Sequence, residues 1–147
     1  MARDGAGAPG EGIRVLLADD ARVGRMVGLK ILAELGCEAD AAANGVEVLA
    51  ALQRKAYDLV LMDVQMPQVD GIQATRMIRS GAARVLDPLV VIVAMTGMES
   101  EGSEDSCRAA GMDDFLAKPV ELAALAALLE RWGHRLRKPG PRGSADA

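Results

Sequence analysis

The chain has 147 residues, enough for one domain with a sizeable core, and half of them are apolar although Trp, Tyr and Phe occur only once each. A formal net charge of -4 disfavours nucleic acid as a partner, and two cysteines without metal-ligand spacing exclude a disulfide framework. The first residues lack the apolar core of a signal peptide, and no apolar run approaches the roughly 18 residues of a membrane span. These features predict a cytoplasmic protein with an aliphatic core and no membrane insertion.

Both ends of the chain predict tails around one central domain. Residues 1–11 and 137–147 are rich in Gly, Pro, Ala and charge, so we expect them to be disordered. Residues 12–136 show neither an internal repeat nor a linker, which predicts a single domain.

Short apolar runs in the central domain predict five β-strands. Three of these runs are almost continuously aliphatic, which is typical of parallel strands covered by helices on both faces. The predicted strands span residues 13–18, 37–41, 58–62, 89–95 and 113–117.

The segments between the strands carry helical spacing, so strands and helices alternate as in a doubly wound α/β domain. Asn44 should cap the second helix and Gly36 should follow the first, whereas the serines and Gly102 weaken the fourth, for which Ser103 is the expected cap. The predicted helices span about residues 21–35, 44–56, 70–80, 99–111 and 121–133. The first helix shows a stripe with a spacing of four, formed by Val23, Val27, Ile31 and Leu35.

Polar residues follow four of the predicted strands at the same end. Asp19 and Asp20 follow the first strand, Asp63 the third, Thr96 the fourth and Lys118 the fifth. One Asp after a strand is usually a turn former or a helix cap. In doubly wound sheets, however, ligands bind beyond the carboxyl ends of the strands, so this coincidence predicts a functional site.

Three carboxylates at one edge of a sheet would repel one another. Two unit charges about 4 Å apart repel by about 4 kcal/mol at an effective dielectric constant of about 20. Such a cluster either raises a pKa or binds a cation, and hard oxygen ligands with room for water suit Mg²⁺. Asp19, Asp20 and Asp63 are therefore candidate ligands of Mg²⁺ if the first and third strands are adjacent.

Four short motifs in this order carry a resemblance to a known family: ADD (18–20), LMDVQMPQVDG (61–71), AMTG (94–97) and FLAKP (115–119). Together they resemble the receiver domains of response regulators over residues 12–136. The resemblance implies a flavodoxin-like fold, a doubly wound five-stranded parallel sheet with strand order 2-1-3-4-5 and five helices.

The same resemblance assigns the residues around the metal. It implies that Asp63 is a phosphoacceptor, the nucleophile that takes a phosphoryl group. Mg²⁺ would be ligated directly by Asp20, Asp63 and the backbone carbonyl of Gln65, and through a water molecule by Asp19.

The resemblance also implies a switch. Lys118 and Thr96 would each bind a phosphoryl oxygen, and the Lys118–Pro119 peptide bond would be cis. Phe115 would turn inward as the Thr96 hydroxyl moves, and its ring, which has no hydroxyl, should favour the inward position even without phosphate. We expect the response at the surface of helix 4, strand 5 and helix 5, and slow dephosphorylation because Met98 shields the site.

The implied partner is a histidine kinase or a histidine phosphotransfer domain, because the motifs look most like receivers of hybrid sensor kinases or their stand-alone relatives. Such a domain catalyses only its own phosphorylation and dephosphorylation.

Two alternatives remain. An aspartyl-phosphate phosphatase would need an Asp two positions after the nucleophile, where this chain has Gln65, and a pseudo-receiver that acts without phosphorylation would lack the acceptor or the lysine, both of which are present.

Overall fold

The computed structural model of the protein describes residues 8–97 and 104–136, within which strands and helices alternate in the predicted order. The strands are β1 (Arg14–Ala18), β2 (Glu38–Ala42), β3 (Leu59–Asp63), β4 (Val91–Thr96) and β5 (Asp114–Ala117). The helices are α1 (Arg22–Glu34), α2 (Gly45–Arg54), α3 (Gly71–Ser80), α4 (Glu104–Ala110) and α5 (Leu122–Leu136).

All five strands form one parallel sheet in the order β2-β1-β3-β4-β5. The predicted fold class and strand order are therefore confirmed. The central strand β3 pairs with β1 on one side and β4 on the other, and its five residues are all buried. We call the side on which the strands begin the amino edge of the sheet, and the side on which they end the carboxyl edge.

The sheet separates two aliphatic cores because side chains alternate between its faces. Leu16 and Val60 face a core that includes residues of α2, α3 and α4, whereas Leu17 and Leu61 face a core formed with α1 and α5. Buried apolar residues on both faces explain why the central strands read as continuous aliphatic runs.

The buried face of α1 differs from the predicted stripe. Val23 and Val27 are 70% and 45% exposed, whereas Gly28 and Leu32 are buried. A spacing of four residues drifts by about 40° per repeat around a helix of 3.6 residues per turn, so the stripe cannot stay on one face. The helix itself was predicted correctly, but the assignment of Val23 and Val27 to one apolar face with Leu35 was wrong.

Local signals set the ends of the helices as expected. The Asn44 side chain accepts a hydrogen bond from the Glu47 N–H at the start of α2. Gly36, with φ of 92°, follows α1 in the left-handed region that glycine tolerates. A capping box formed by Asp70 and Gln73, which the sequence analysis did not identify, begins α3. The expected cap Ser103 lies outside the described residues.

Arg79 forms a hydrogen-bond network at the amino edge. Arg79, near the end of α3, donates hydrogen bonds to the carbonyls of Gly111, Pro88 and Val90 and pairs with Asp113 at 2.8 Å between Nη2 and Oδ2. This network connects α3 to the start of β4 and to the turn between α4 and β5.

Part of the predicted N-terminal tail contacts the domain. Gly10 is buried and its N–H donates to the Leu35 carbonyl at 2.7 Å. Residues 1–7 and 137–147 of the predicted tails lie outside the described residues, so the tail boundaries stay predictions. None of the helices in the described ranges has the length and hydropathy needed to cross a bilayer.

Candidate functional site

Adjacency of β1 and β3 brings three aspartates together at the carboxyl edge. Ala18 is the register partner of Met62, so Asp19 and Asp63 follow side by side. One carboxylate oxygen from each of Asp19, Asp20 and Asp63 lies within 4.8 Å of the others. Asp63 and Asp19 are only 2% and 5% exposed, whereas Asp20 is exposed and borders the opening of this acidic pocket.

Asp63 is held by two donors. The Lys118 ammonium lies 3.1 Å from Oδ2, and the Gln65 backbone N–H donates to Oδ1 at 3.1 Å. Burial raises the pKa of Asp63, and the charge of Asp19 adds to this rise; the hydrogen bonds from Lys118 and Gln65 oppose it without cancelling it. The free pocket therefore penalises the charge on Asp63.

Lys118 reaches the pocket from the opposite side, just after β5. Its backbone N–H donates to the Thr96 carbonyl at 2.8 Å, and the Lys118–Pro119 bond is cis, as predicted. Burial alone would lower the pKa of Lys118, but the hydrogen bond to Asp63 and the nearby carboxylates raise it above its ordinary value. The ammonium group therefore stays charged at neutral pH.

The charges of the pocket do not balance. Three carboxylates face the single ammonium group of Lys118 among the described residues that make up the pocket. A group of oxygen donors with an exposed member suits a hard cation that keeps some of its water, so Asp19, Asp20 and Asp63 fit Mg²⁺. Coordination by the Gln65 carbonyl stays a prediction, although its N–H contact shows that the Gln65 backbone lies beside Asp63.

The two predicted switch residues lie on neighbouring strands. Thr96 ends β4 and is half-buried beside the register partner Ala117. Phe115 packs against the core on the α4 side but is itself only half-buried, and the Arg108 guanidinium lies 4.8 Å from the centre of its ring. The inward position of the Phe115 ring stays a prediction, and the contact with Arg108 was not expected from the sequence. Met98 lies outside the described residues.

Two glycines shape the pocket. A β carbon on Gly71, which begins α3, would collide with the Asp63 carbonyl, and a β carbon on Gly24 would collide with the Asp19 carboxylate. Arg25, next to Gly24, donates from Nη1 to the Asp19 carbonyl at 2.9 Å. Neither Gly24 nor Arg25 was identified as a site residue from the sequence. A glycine within a helical pattern is the one signal that could have drawn attention to Gly24.

Exposed apolar side chains lie beside the acidic pocket on the first turns of α1. Val23, Met26 and Val27 are 70%, 62% and 45% exposed, and we call them the α1 patch. Leu122, at the start of α5, is 45% exposed four residues after Lys118. A cluster of exposed apolar residues of this kind is typical of a surface that binds another protein.

The fold and the site together define a class: a doubly wound α/β domain with a buried, lysine-paired aspartate in an acidic pocket that suits Mg²⁺. Residues 15–130 match the family model described as the response regulator receiver domain, and the chain belongs to this family.

The relatives are receiver-containing signalling proteins. The sensor protein GacS of Pseudomonas syringae is 38% identical over 135 residues, which cover 91% of this chain but 15% of that protein. The chain thus spans about 15% of the length of this relative. The receiver domain of the sensor histidine kinase PA1611 of Pseudomonas aeruginosa, solved with magnesium in its active-site cleft, is 36% identical with a TM-score of 0.73 over 82% of this chain and 97% of that one. The Ssk1 receiver domain of Saccharomyces cerevisiae, solved with the histidine phosphotransfer protein Ypd1, is 29% identical with a TM-score of 0.74 over 82% and 88%.

Proposed function

We propose that this receiver domain accepts a phosphoryl group on Asp63 from a phosphohistidine donor, in a reaction that depends on Mg²⁺. The observation that supports this proposal most directly is the buried Asp63 carboxylate, paired with Lys118 and clustered with the carboxylates of Asp19 and Asp20. The magnesium-bound PA1611 receiver supports the choice of metal.

Transfer would proceed by attack of an Asp63 carboxylate oxygen on phosphorus. The O–P bond forms as the P–N bond of the donor breaks, and the electron pair of that bond remains on the imidazole nitrogen. Lys118 neutralises a phosphoryl oxygen, and the Thr96 hydroxyl donates to another. Bound Mg²⁺, held by Asp19, Asp20 and Asp63, would supply the remaining positive charge.

Phosphorylation can be tested with a small-molecule donor. The purified protein is incubated with acetyl phosphate and Mg²⁺, and its intact mass is measured. We expect a gain of one phosphoryl group, which disappears in Asp63→Asn and when EDTA removes the metal. An unchanged mass for the unmodified protein would instead favour an interaction module that works without phosphorylation.

The α1 patch supports a protein as the phosphoryl donor, because apolar surface beside the pocket can bury itself against a histidine phosphotransfer domain. Ypd1 is a protein of this kind in the complex with the Ssk1 receiver. Met26→Glu should slow transfer from a phosphorylated histidine phosphotransfer domain at least about tenfold, since charge in an apolar contact is costly. Transfer from acetyl phosphate should be unchanged.

A matched control is available at the other edge of the sheet. Leu89 is 73% exposed and precedes β4 at the amino edge, away from the acidic pocket. Leu89→Glu introduces the same charge on an apolar residue that is exposed to a similar extent, and it should leave both reactions unchanged. If Leu89→Glu slows protein-dependent transfer as much as Met26→Glu, the α1 patch is not the docking surface.

The output surface would consist of α4, β5 and α5. Arg108 of α4 stacks over Phe115 of β5, so a movement of Phe115 toward Thr96 would break a contact that holds α4 in place. We expect a phosphoryl mimic such as beryllofluoride to change amide hydrogen exchange in α4. Unchanged exchange in α4 with the mimic bound would contradict this output surface.

A further inference from the structure

Helix α1 lies unusually close to the Asp19 side chain. A β carbon built on Gly24 would overlap Asp19 Oδ2 and lie 2.9 Å from Asp19 Cγ, closer than real contacts of this kind. The Asp19 carboxylate therefore occupies the space that a side chain at position 24 would fill. In that place its Oδ1 accepts a hydrogen bond from the Ala21 N–H at 2.9 Å.

The backbone at Gly24 does not itself require glycine. Gly24 lies within α1 and does not have the positive φ found at Gly12, Gly36, Gly81 and Gly111. Glycine inside a helix is less stable than alanine by about 0.5–1 kcal/mol, so its presence in a regular turn needs another reason. The close approach of the Asp19 carboxylate supplies one.

We propose that Gly24 is a positioning residue of the metal site: its missing side chain lets the Asp19 carboxylate converge with Asp20 and Asp63. This inference rests on the proposed binding of Mg²⁺. The atoms in conflict with a β carbon belong to the carboxylate group of Asp19 and not to the backbone, so the fold accepts a larger residue at position 24 and the carboxylate moves instead. Displacement of one ligand group weakens the site without unfolding the domain.

The test compares two glycines on the same helix. Gly28 lies one turn after Gly24, and a β carbon there would lie 2.6 Å from Leu17 Cδ2 in the core rather than against the pocket. Gly24→Ala and Gly28→Ala therefore make the same chemical change in α1. Isothermal titration with Mg²⁺ should show about tenfold weaker binding for Gly24→Ala and unchanged binding for Gly28→Ala. Circular dichroism checks that both variants keep the fold.

A second comparison removes the carboxylate. In an Asp19→Ala background, Gly24→Ala should cause no further loss of Mg²⁺ affinity, because no carboxylate remains to be displaced. Equal Mg²⁺ affinity of Gly24→Ala and the unmodified protein, tighter binding, or an equal loss in Gly28→Ala would overturn the inference. A different result would contradict the proposed function itself, namely that the unmodified protein binds no Mg²⁺.

Discussion

The carboxylates at the two edges of the sheet have opposite surroundings. At the amino edge, Asp113 pairs with Arg79 and Asp114 pairs with Arg131, in both cases at a nitrogen–oxygen distance of 2.9 Å or less. At the carboxyl edge, the carboxylates of Asp19, Asp20 and Asp63 lie together. Among the described residues of the pocket, Lys118 supplies the ammonium group that faces them. Asp113 and Asp114 are thus each paired with an arginine, whereas the acidic pocket at the carboxyl edge retains an excess of negative charge.

The pKa values follow this difference. Burial alone would raise the pKa of Asp114, but the hydrogen bonds from Trp132, Arg131 and the Phe115 N–H lower it below its ordinary value. Burial raises the pKa of Asp63, and its donors do not compensate. Ionisation of Asp114 therefore stabilises the fold, whereas ionisation of Asp63 opposes it, as expected where a site keeps its charge for a ligand.

The largest effect should come from breaking the amino edge. Asp113 and three backbone carbonyls accept hydrogen bonds from the Arg79 guanidinium, and Arg79→Ala removes all of these bonds. The substitution should lower the free energy of unfolding by about 3 kcal/mol. Arg131→Ala is the control, because its side chain is 54% exposed and its loss should cost about 0–1 kcal/mol. Urea denaturation measures both, and equal losses would contradict the special role of Arg79.

A somewhat smaller effect should follow the addition of metal to the carboxyl edge. At about 100 times its dissociation constant, Mg²⁺ should raise the free energy of unfolding by about 2.7 kcal/mol, since it binds only the folded state. Asp19→Ala should lose most of this gain. Urea denaturation at constant ionic strength, with and without Mg²⁺, provides the measurement; a gain that survives in Asp19→Ala would place the metal elsewhere.

Neutralising the acceptor should stabilise the metal-free protein. Folding raises the pKa of Asp63 above 3.8, so the protonated carboxyl group is favoured in the folded protein. The stability that this provides is fully present below pH 3.8 and is lost as the pH rises through the pKa of Asp63 in the folded protein. Asp63→Asn should therefore be about 0.5–2 kcal/mol more stable than the unmodified protein at neutral pH without Mg²⁺, and the difference should shrink in acid. A less stable Asp63→Asn variant at neutral pH would refute this sign.

The smallest expected effect is a loss of stability on neutralising Asp114, opposite in sign to the gain expected for Asp63→Asn. Folding lowers the pKa of Asp114 below 3.8, so the ionised carboxylate is favoured in the folded protein. The stability that this provides is present above pH 3.8 and is lost as the pH falls through the pKa of Asp114 in the folded protein. Asp114→Asn should be about 0.5–1 kcal/mol less stable at neutral pH, with a difference that also shrinks in acid. Unfolding curves between neutral pH and pH 3 would test whether the two variants differ in sign.

Short-range patterns predicted most of the scaffold. The aliphatic runs of β1 and β3 and the Asn44 cap are visible in the chain because each depends on a few neighbouring residues. The site residues were predicted by their position after strands, since parallel strands bring such residues to one edge. The face of α1 was predicted wrongly, because a spacing of four residues drifts around a helix of 3.6 residues per turn and cannot stay on one face.

The sequence by itself determined the order of the elements, the doubly wound class and the set of polar residues that meet at the carboxyl edge. Only the tertiary structure decided which acid meets which base, as in the pairing of Arg79 with Asp113 across 34 residues, and which glycine makes room for a carboxylate. The physical reason is range. Periodicity and capping act within one or two turns of chain, whereas burial, pKa shifts and charge balance depend on neighbours that only folding brings together.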